Sequence, residues 1–249
     1  VARWCDPGGV VRADAVIASR ACTCHCAVMK LLKDLRAEHD LIDQMLDSFR
    51  TAVIQLSHGQ ARPKDLLRFI TFFRVIADEF HHAREEEVLF AVLVNQLQLP
   101  GDRGPIAVMT DDHRKFRVLL DQIQQLIEQR TLSPAEQVQL RTATERYIES
   151  MQHHIDAENS VLFVEGEICL RDAGISELAC RGLTAKEMKI RFTAEELMHR
   201  YPPTANVEII RGDGCPLCPA YQVTCDGYER EWAKVSRWGR AEEDDPLPD

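Results

Sequence analysis

The sequence has no apolar run of the length a membrane helix needs, about 18 residues or more, and a membrane is not expected as a partner. It also lacks a basic stripe. Thirty lysines and arginines stand against forty aspartates and glutamates, a net charge of −10. Phosphate backbones attract positive surfaces, so nucleic acid is not an expected partner either. No thiol occurs between Cys26 and Cys169. The nine cysteines, an odd number gathered towards the two ends, fit reduced or metal-binding thiols better than a secreted disulfide framework. Residues 1–20 have no leader-like apolar core, with Asp6, Arg12 and Asp14 scattered through them. A cytoplasmic protein is the expectation.

Periodicity is missing from residues 1–28 as well, whereas a regular helical pattern follows Met29 at once. Residues 1–28 therefore read as an irregular N-terminal extension, extraneous to the fold. From Leu32 the inward positions run Leu32, Leu35, His39, Ile42, Leu46, Phe49, Val53 and Leu56, with spacings alternating between 3 and 4. That alternation is the seam of a helix bundle. A second stripe carries Leu66, Ile70, Phe73, Ala77, His81, Glu85, Val88 and Val92 over a helix of about 64–97. A third, about 105–130, uses Ile106, Met109, His113, Phe116, Leu120, Ile123 and Ile127. A fourth, about 134–170, uses Leu140, Thr144, Tyr147, Met151, His154, Glu158 and Val161. Breakers separate them: "SHGQARPKD", "LPGDRGP" and "TLSPAEQ". In the last of these Ser133, Pro134 and Glu136 form an N-cap, first-turn proline and capping-box set.

These four helices predict an all-α, up-down-up-down bundle over residues 29–170. Each seam is interrupted by a histidine. His39 lies 19 residues before His58 and His81 lies 18 after Pro63, while His113 and His154 each lie 20 residues from their own turn, at Ser133 and Pro134. In antiparallel hairpins equal distances from a turn mean equal depth, so the histidines are expected to meet.

A repeat sharpens this. "HHAREEEVLF" at 81–90 and "HHIDAENSVLF" at 153–163 align on their shared "LF", matching His81 with His154 and Glu85 with Glu158. Upstream, "EHDLID" around His39 matches "DHRKFR" around His113, at intervals of 42 and 41 residues from the next motif. Residues at i and i+4 share a helix face. An unpartnered buried carboxylate is costly, and a cation resolves it. Imidazole and carboxylate together suit iron, manganese or zinc. His39, His81, Glu85, His113, His154 and Glu158 are too many for one ion and suit two, with the glutamates bridging. His82, His153, Glu86 and Glu87 fall off the seam and read as flanking residues that support or tune the ligands.

On "EH" at 38–39, "HHAREEEVLF", "DH" at 112–113 and "HHIDAENSVLF" the sequence resembles the hemerythrin-like, or HHE cation-binding, family over residues 29–168. The resemblance implies a non-haem di-iron centre with an oxo or hydroxo bridge. His39, His81, His113 and His154 would be terminal ligands, and Glu85 and Glu158 carboxylate bridges. Oxygen-carrying members have a second third-helix histidine one turn on, where this chain has Arg117, and tend to end the fourth-helix motif in aspartate rather than Glu158. The set of four histidines and two glutamates is similar to the branch that includes iron–sulfur-cluster repair proteins. It implies an exchangeable position on each iron, and so binding of or reaction with dioxygen or nitric oxide in stress response or sensing. Tyr147, on the same seam, is placed either to donate a hydrogen bond to a bound ligand or to pack as a core aromatic. Two alternatives stay open: iron delivery, storage or cluster repair on a redox or iron–sulfur client protein, and a structural bundle holding zinc. The residues are compatible with turnover and with binding alone.

Residues 171–249 read as an irregular, cysteine-containing extension with a short helix at about 193–201 and an acidic tail. Cys215-x-x-Cys218, with Cys225 and Cys180 or Cys169, is a candidate zinc or iron–sulfur site; free or redox-active thiols are the competing reading.

Overall fold

The computed structural model describes residues 14–129, 132–209 and 211, with side chains from Lys30 onward. It contains helices and no strands among these residues. Helix α1 spans Asp14–Ser57. Helix α2 is a continuous rod from Pro63 to Asn95 that is π-helical over Phe73–His82 and Glu85–Phe90. Helix α3 spans Gly104–Ile127. Helix α4 runs from Pro134 to Asp172 and is π-helical over Glu158–Leu162. Helix α5 spans Ala185–Arg200. The first four pack in a ring, each against the next and α4 back onto α1, and α5 lies against α1 and α2. None of the described helices is long and apolar enough to cross a membrane.

Local chemistry explains the boundaries. Pro63 and Pro105 occupy first-turn positions where a missing N–H costs nothing. Ser133 caps α4 through the reciprocal Ser133–Glu136 box read from the sequence. Gly59, just past α1, has φ +70°, a conformation natural to glycine alone. Two boundaries differ from expectation. Helix α1 has helical backbone from Asp14, across residues whose apolar positions show no period. Helix α5 begins at Ala185 rather than near 193, because Thr184 and Glu187 form a second capping box, "TAKE".

The drawn seams hold as far as Glu85 on α2 and Glu158 on α4, and slip within the π segments that begin there. On α2 the residues buried after Glu85 are Leu89 and Leu93, not Val88 and Val92; on α4 the buried residue is Leu162, not Val161. A π turn inserts one residue and advances the inward face by one position. The core consequently falls into two apolar clusters. One includes Ile42, Phe49, Phe69, Phe73, Phe116, Tyr147 and Met151. The other includes Leu32, Leu35, Leu89, Leu93, Met109 and Phe163. Between them lies a layer of buried polar side chains.

The stretch after α4 wraps the bundle. Tyr201 is buried, and its hydroxyl donates to Asp65 Oδ2 at 2.9 Å, which also accepts from Arg62 and Arg200 at 2.8 Å. Arg211 clasps Asp43 on α1 and Asp156 on α4, each at 2.8 Å.

Candidate metal centre

The polar layer is the predicted one, enlarged by one residue. His39, His81, Glu85, His113, His154 and Glu158 are all at most 1% exposed, and so is His82. The register argument meets its geometric test: the rings of His39 and His81 lie 4.6 Å apart, and those of His113 and His154 4.8 Å. Two groups with ligand atoms within 4.8 Å of one another result. The first is His39, His81, Glu85 and Glu158; the second is His82, Glu85, His113 and His154. Glu85 belongs to both.

His82 corrects the expectation that it merely flanks the ligands. It stacks on His113 with centroids 3.8 Å apart. The π segment that ends at His82 brings this neighbour of His81 onto the inward face beside it. The inward set therefore holds five histidines and two glutamates, one histidine more than the sequence reading placed there. The repeat could not reveal His82, because its counterpart in the second motif is the apolar Ile155.

Each ring is aimed from behind. Nδ1–H of His81 donates to Glu38 at 2.9 Å, of His113 to Glu86 at 2.7 Å, and of His39 to the Asn159 side-chain oxygen at 2.9 Å. Nδ1 of His82 faces Asp78 at 3.7 Å, and that of His154 faces Asp112 at 3.8 Å. The hydrogen-bonded partners of His39, His81 and His113 set the tautomer, so that Nε2 of these three rings carries the lone pair and points inward. Arg117 donates to both oxygens of Asp78, at 2.8 and 2.9 Å, and lies 3.6 Å from Glu86. In place of a ligand it steadies two of the carboxylates behind the rings. The "LF" phenylalanines cross between the hairpins. Phe163 is parallel to His39 at 5.3 Å and Phe90 to His113 at 6.3 Å.

Nine polar atoms of the layer have no hydrogen-bond partner: Nε2 of His39, His81 and His82, Nδ1 of His82 and His154, and all four carboxylate oxygens of Glu85 and Glu158. Buried polar groups are almost always satisfied, so this convergence fits one or more cations. Electrostatics of the bare layer agree. Burial, then Glu158 and Glu38, push the Glu85 carboxyl well above its ordinary range. Burial alone would do the same to Glu158, but His154 and His39 hold it well below. Burial opposes a charged His154, yet Glu158 and Asp112 raise it to about 9. Burial and neighbouring imidazoles hold His81 and His113 well below the usual value, and burial takes His82 to about 4. The layer tolerates charge only in opposed pairs.

The family model of the hemerythrin HHE cation-binding domain matches residues 30–165. The chain belongs to this family. Comparison with curated proteins and with solved structures finds no match. The HHE domain accounts for the helices and for the cation-binding character of the layer.

Of the cysteines outside the HHE domain, Cys169 is buried among leucines and its thiol is pushed up to about 11, chiefly by burial. That is the environment of a core residue. Cys180 is exposed. The candidate zinc or iron–sulfur residues Cys215, Cys218 and Cys225 lie outside the described residues.

Proposed function

We propose that this HHE domain holds a non-haem di-iron centre that binds or reacts with dioxygen or nitric oxide, in oxidative or nitrosative stress response or sensing. One observation carries the reading: two four-residue groups of imidazoles and carboxylates share Glu85 inside a layer closed off from solvent. Imidazole–carboxylate donor sets suit redox-active first-row metals. When bound, a ferrous pair supplies electrons to a diatomic ligand.

The chain's own residues do the rest. The five imidazoles and the carboxylates of Glu85 and Glu158 would hold the ions, and Glu38, Asp78, Glu86, Asp112 and Asn159 stand behind the rings. Phe90, Phe116 and Phe163 stand against His113, His154 and His39 and exclude water. Tyr147, fully buried against Phe73 and Phe116, keeps a hydroxyl with no partner. Burial holds that phenol well above its usual pKa, so it stays protonated and able to donate to a small ligand.

Anaerobic loading with ferrous iron, followed by air or nitric oxide, tests the reading. Two irons per chain and a new charge-transfer absorption are expected. A chain that takes zinc alone and stays colourless overturns it in favour of a structural site. Release of iron to an apo-cluster acceptor without a spectral change overturns it in favour of delivery.

A further inference from the structure

Arg84 sits one turn from the layer and is 6% exposed, an unusual place for a guanidinium. Its Nη1 donates to Glu38 Oε1 at 2.9 Å, and Glu38 Oε2 accepts from His81 Nδ1 at 2.9 Å. Its Nε and Nη2 have no acceptor. The polar output of a buried cation thus goes to one carboxylate, and that carboxylate is held at both oxygens, unable to turn away from His81.

The guanidinium also lies over the Phe80 ring at 4.6 Å, and Arg181, from the stretch before α5, lies over the same ring at 4.9 Å. Arg181 donates to the Glu79 carbonyl at 3.0 Å and to both oxygens of Glu187, the α5 capping-box glutamate, at 2.8 Å. Phe80 directly precedes His81. A continuous set of contacts therefore runs from the start of α5 through Arg181, Phe80, Arg84 and Glu38 to one ring of the layer.

The second hairpin has no equivalent. In the repeat Arg84 corresponds to Ala157, and Asp112, the counterpart of Glu38, is held instead by Lys115, whose side chain is 61% exposed. A solvated lysine restrains a carboxylate far less than a buried, stacked arginine.

We infer that Arg84 is a positioning residue for one half of the metal pair, fixing His81 through Glu38 and tying that half to the α5 segment through Arg181. The inference rests on the two-ion reading above. Its effect is selective: the ion of the His39, His81, Glu85 and Glu158 group depends on Arg84, and the ion of the other group does not.

Cobalt(II) serves as the probe, loaded to saturation on the full chain and removed by excess chelator while the visible ligand-field spectrum is followed. In the wild-type protein two phases of equal amplitude are expected. Losing a partner behind a ligand weakens metal binding by roughly 10–100-fold. Arg84→Met should accelerate one phase by at least about tenfold, leave the other within about twofold, and leave behind a one-cobalt spectrum. Glu38→Gln should accelerate the same phase, and the double variant should go no further than the stronger single one, as expected for residues acting in series. Arg84→Lys, which keeps the charge without the fork, should fall between Arg84→Met and wild type, and it remains readable if Arg84→Met fails to fold. Arg181→Ala should act on the same phase more weakly. Equal acceleration of both phases, no acceleration, or additive single effects would overturn the inference. A wild-type chain that takes up fewer than two cobalt ions overturns the two-ion reading instead, and the positioning role with it.

Discussion

Replacing Glu85 with leucine should make the metal-free protein more stable and the metal-loaded protein less so. Glu85 is 0% exposed, and neither carboxylate oxygen has a hydrogen-bond partner. Burial holds its carboxyl well above the ordinary range, so the metal-free chain bears the cost of burying an unsatisfied acid. Such a group costs about 1–3 kcal/mol, and leucine, of similar size, removes it without orphaning a partner. At roughly 2–4 °C per kcal/mol for a chain of this length, the metal-free Tm should rise by roughly 2–12 °C. The loaded protein behaves oppositely. An ion present at about 1,000 times its Kd contributes about 4 kcal/mol, and Glu85 serves both ligand groups. The variant should therefore lose most of the metal-dependent rise in Tm. Thermal unfolding by circular dichroism, with chelator and with anaerobic ferrous iron, measures both. Glu85→Gln is the control: it removes the carboxylate shared by the two groups yet still buries an unsatisfied amide, so its metal-free gain should be smaller. A Glu85→Leu protein that melts lower than wild type in chelator while keeping two ions would refute the reasoning.

Three other outcomes follow from the geometry. His82→Ala strips one imidazole from its group and should lower the metal content from two ions towards one by elemental analysis; two ions in the variant would return His82 to a supporting role. Metal uptake should strengthen with pH, because Nε2 of His154 must shed a proton held up to about 9 before it can take an ion. The apparent affinity should rise by about tenfold per pH unit below that value and level off above it; a flat profile between pH 6.5 and 9 in competition titrations would contradict the assignment. Asp65→Ala removes the shared acceptor of Arg62, Arg200 and Tyr201, leaving the buried Tyr201 hydroxyl without an acceptor. A loss of about 1–3 kcal/mol should appear in urea unfolding with metal content unchanged, and an unaltered midpoint would show that α5 docks without help from the Asp65 cluster.

The sites where sequence reasoning held and where it slipped share one cause. Leu32 to Val53 and Ile106 to Ile127 follow the 3–4 alternation and are buried throughout. In α2 and α4 the drawn seam fails after Glu85 and Glu158, inside the π-helical segments Glu85–Phe90 and Glu158–Leu162. A seam drawn at 3.6 residues per turn cannot see an inserted residue. It therefore favoured Val88, Val92 and Val161 over Leu89, Leu93 and Leu162, and it left His82 outside. The short helix near the C-terminus was placed late for a different reason. Its "TAKE" capping box was present in the sequence, but no apolar stripe drew attention to it.

Patterns local to one helix or one turn were written in the sequence. They include four amphipathic helices, the Ser133 cap, the duplicated hairpins, and six inward residues brought level by equal distances from the turns. Such features depend only on helix periodicity and backbone capping, which act over a few residues. Tertiary structure decided the inward turn of His82 and the hydrogen-bond partners behind His39, His81 and His113. Glu86 reaches His113 and Asn159 reaches His39 across separations of 27 and 120 residues, and Arg84 meets Glu38 across 46. Contacts of that kind depend on how whole helices rotate against one another. A single π turn changes that rotation, and the local pattern of residues does not record it.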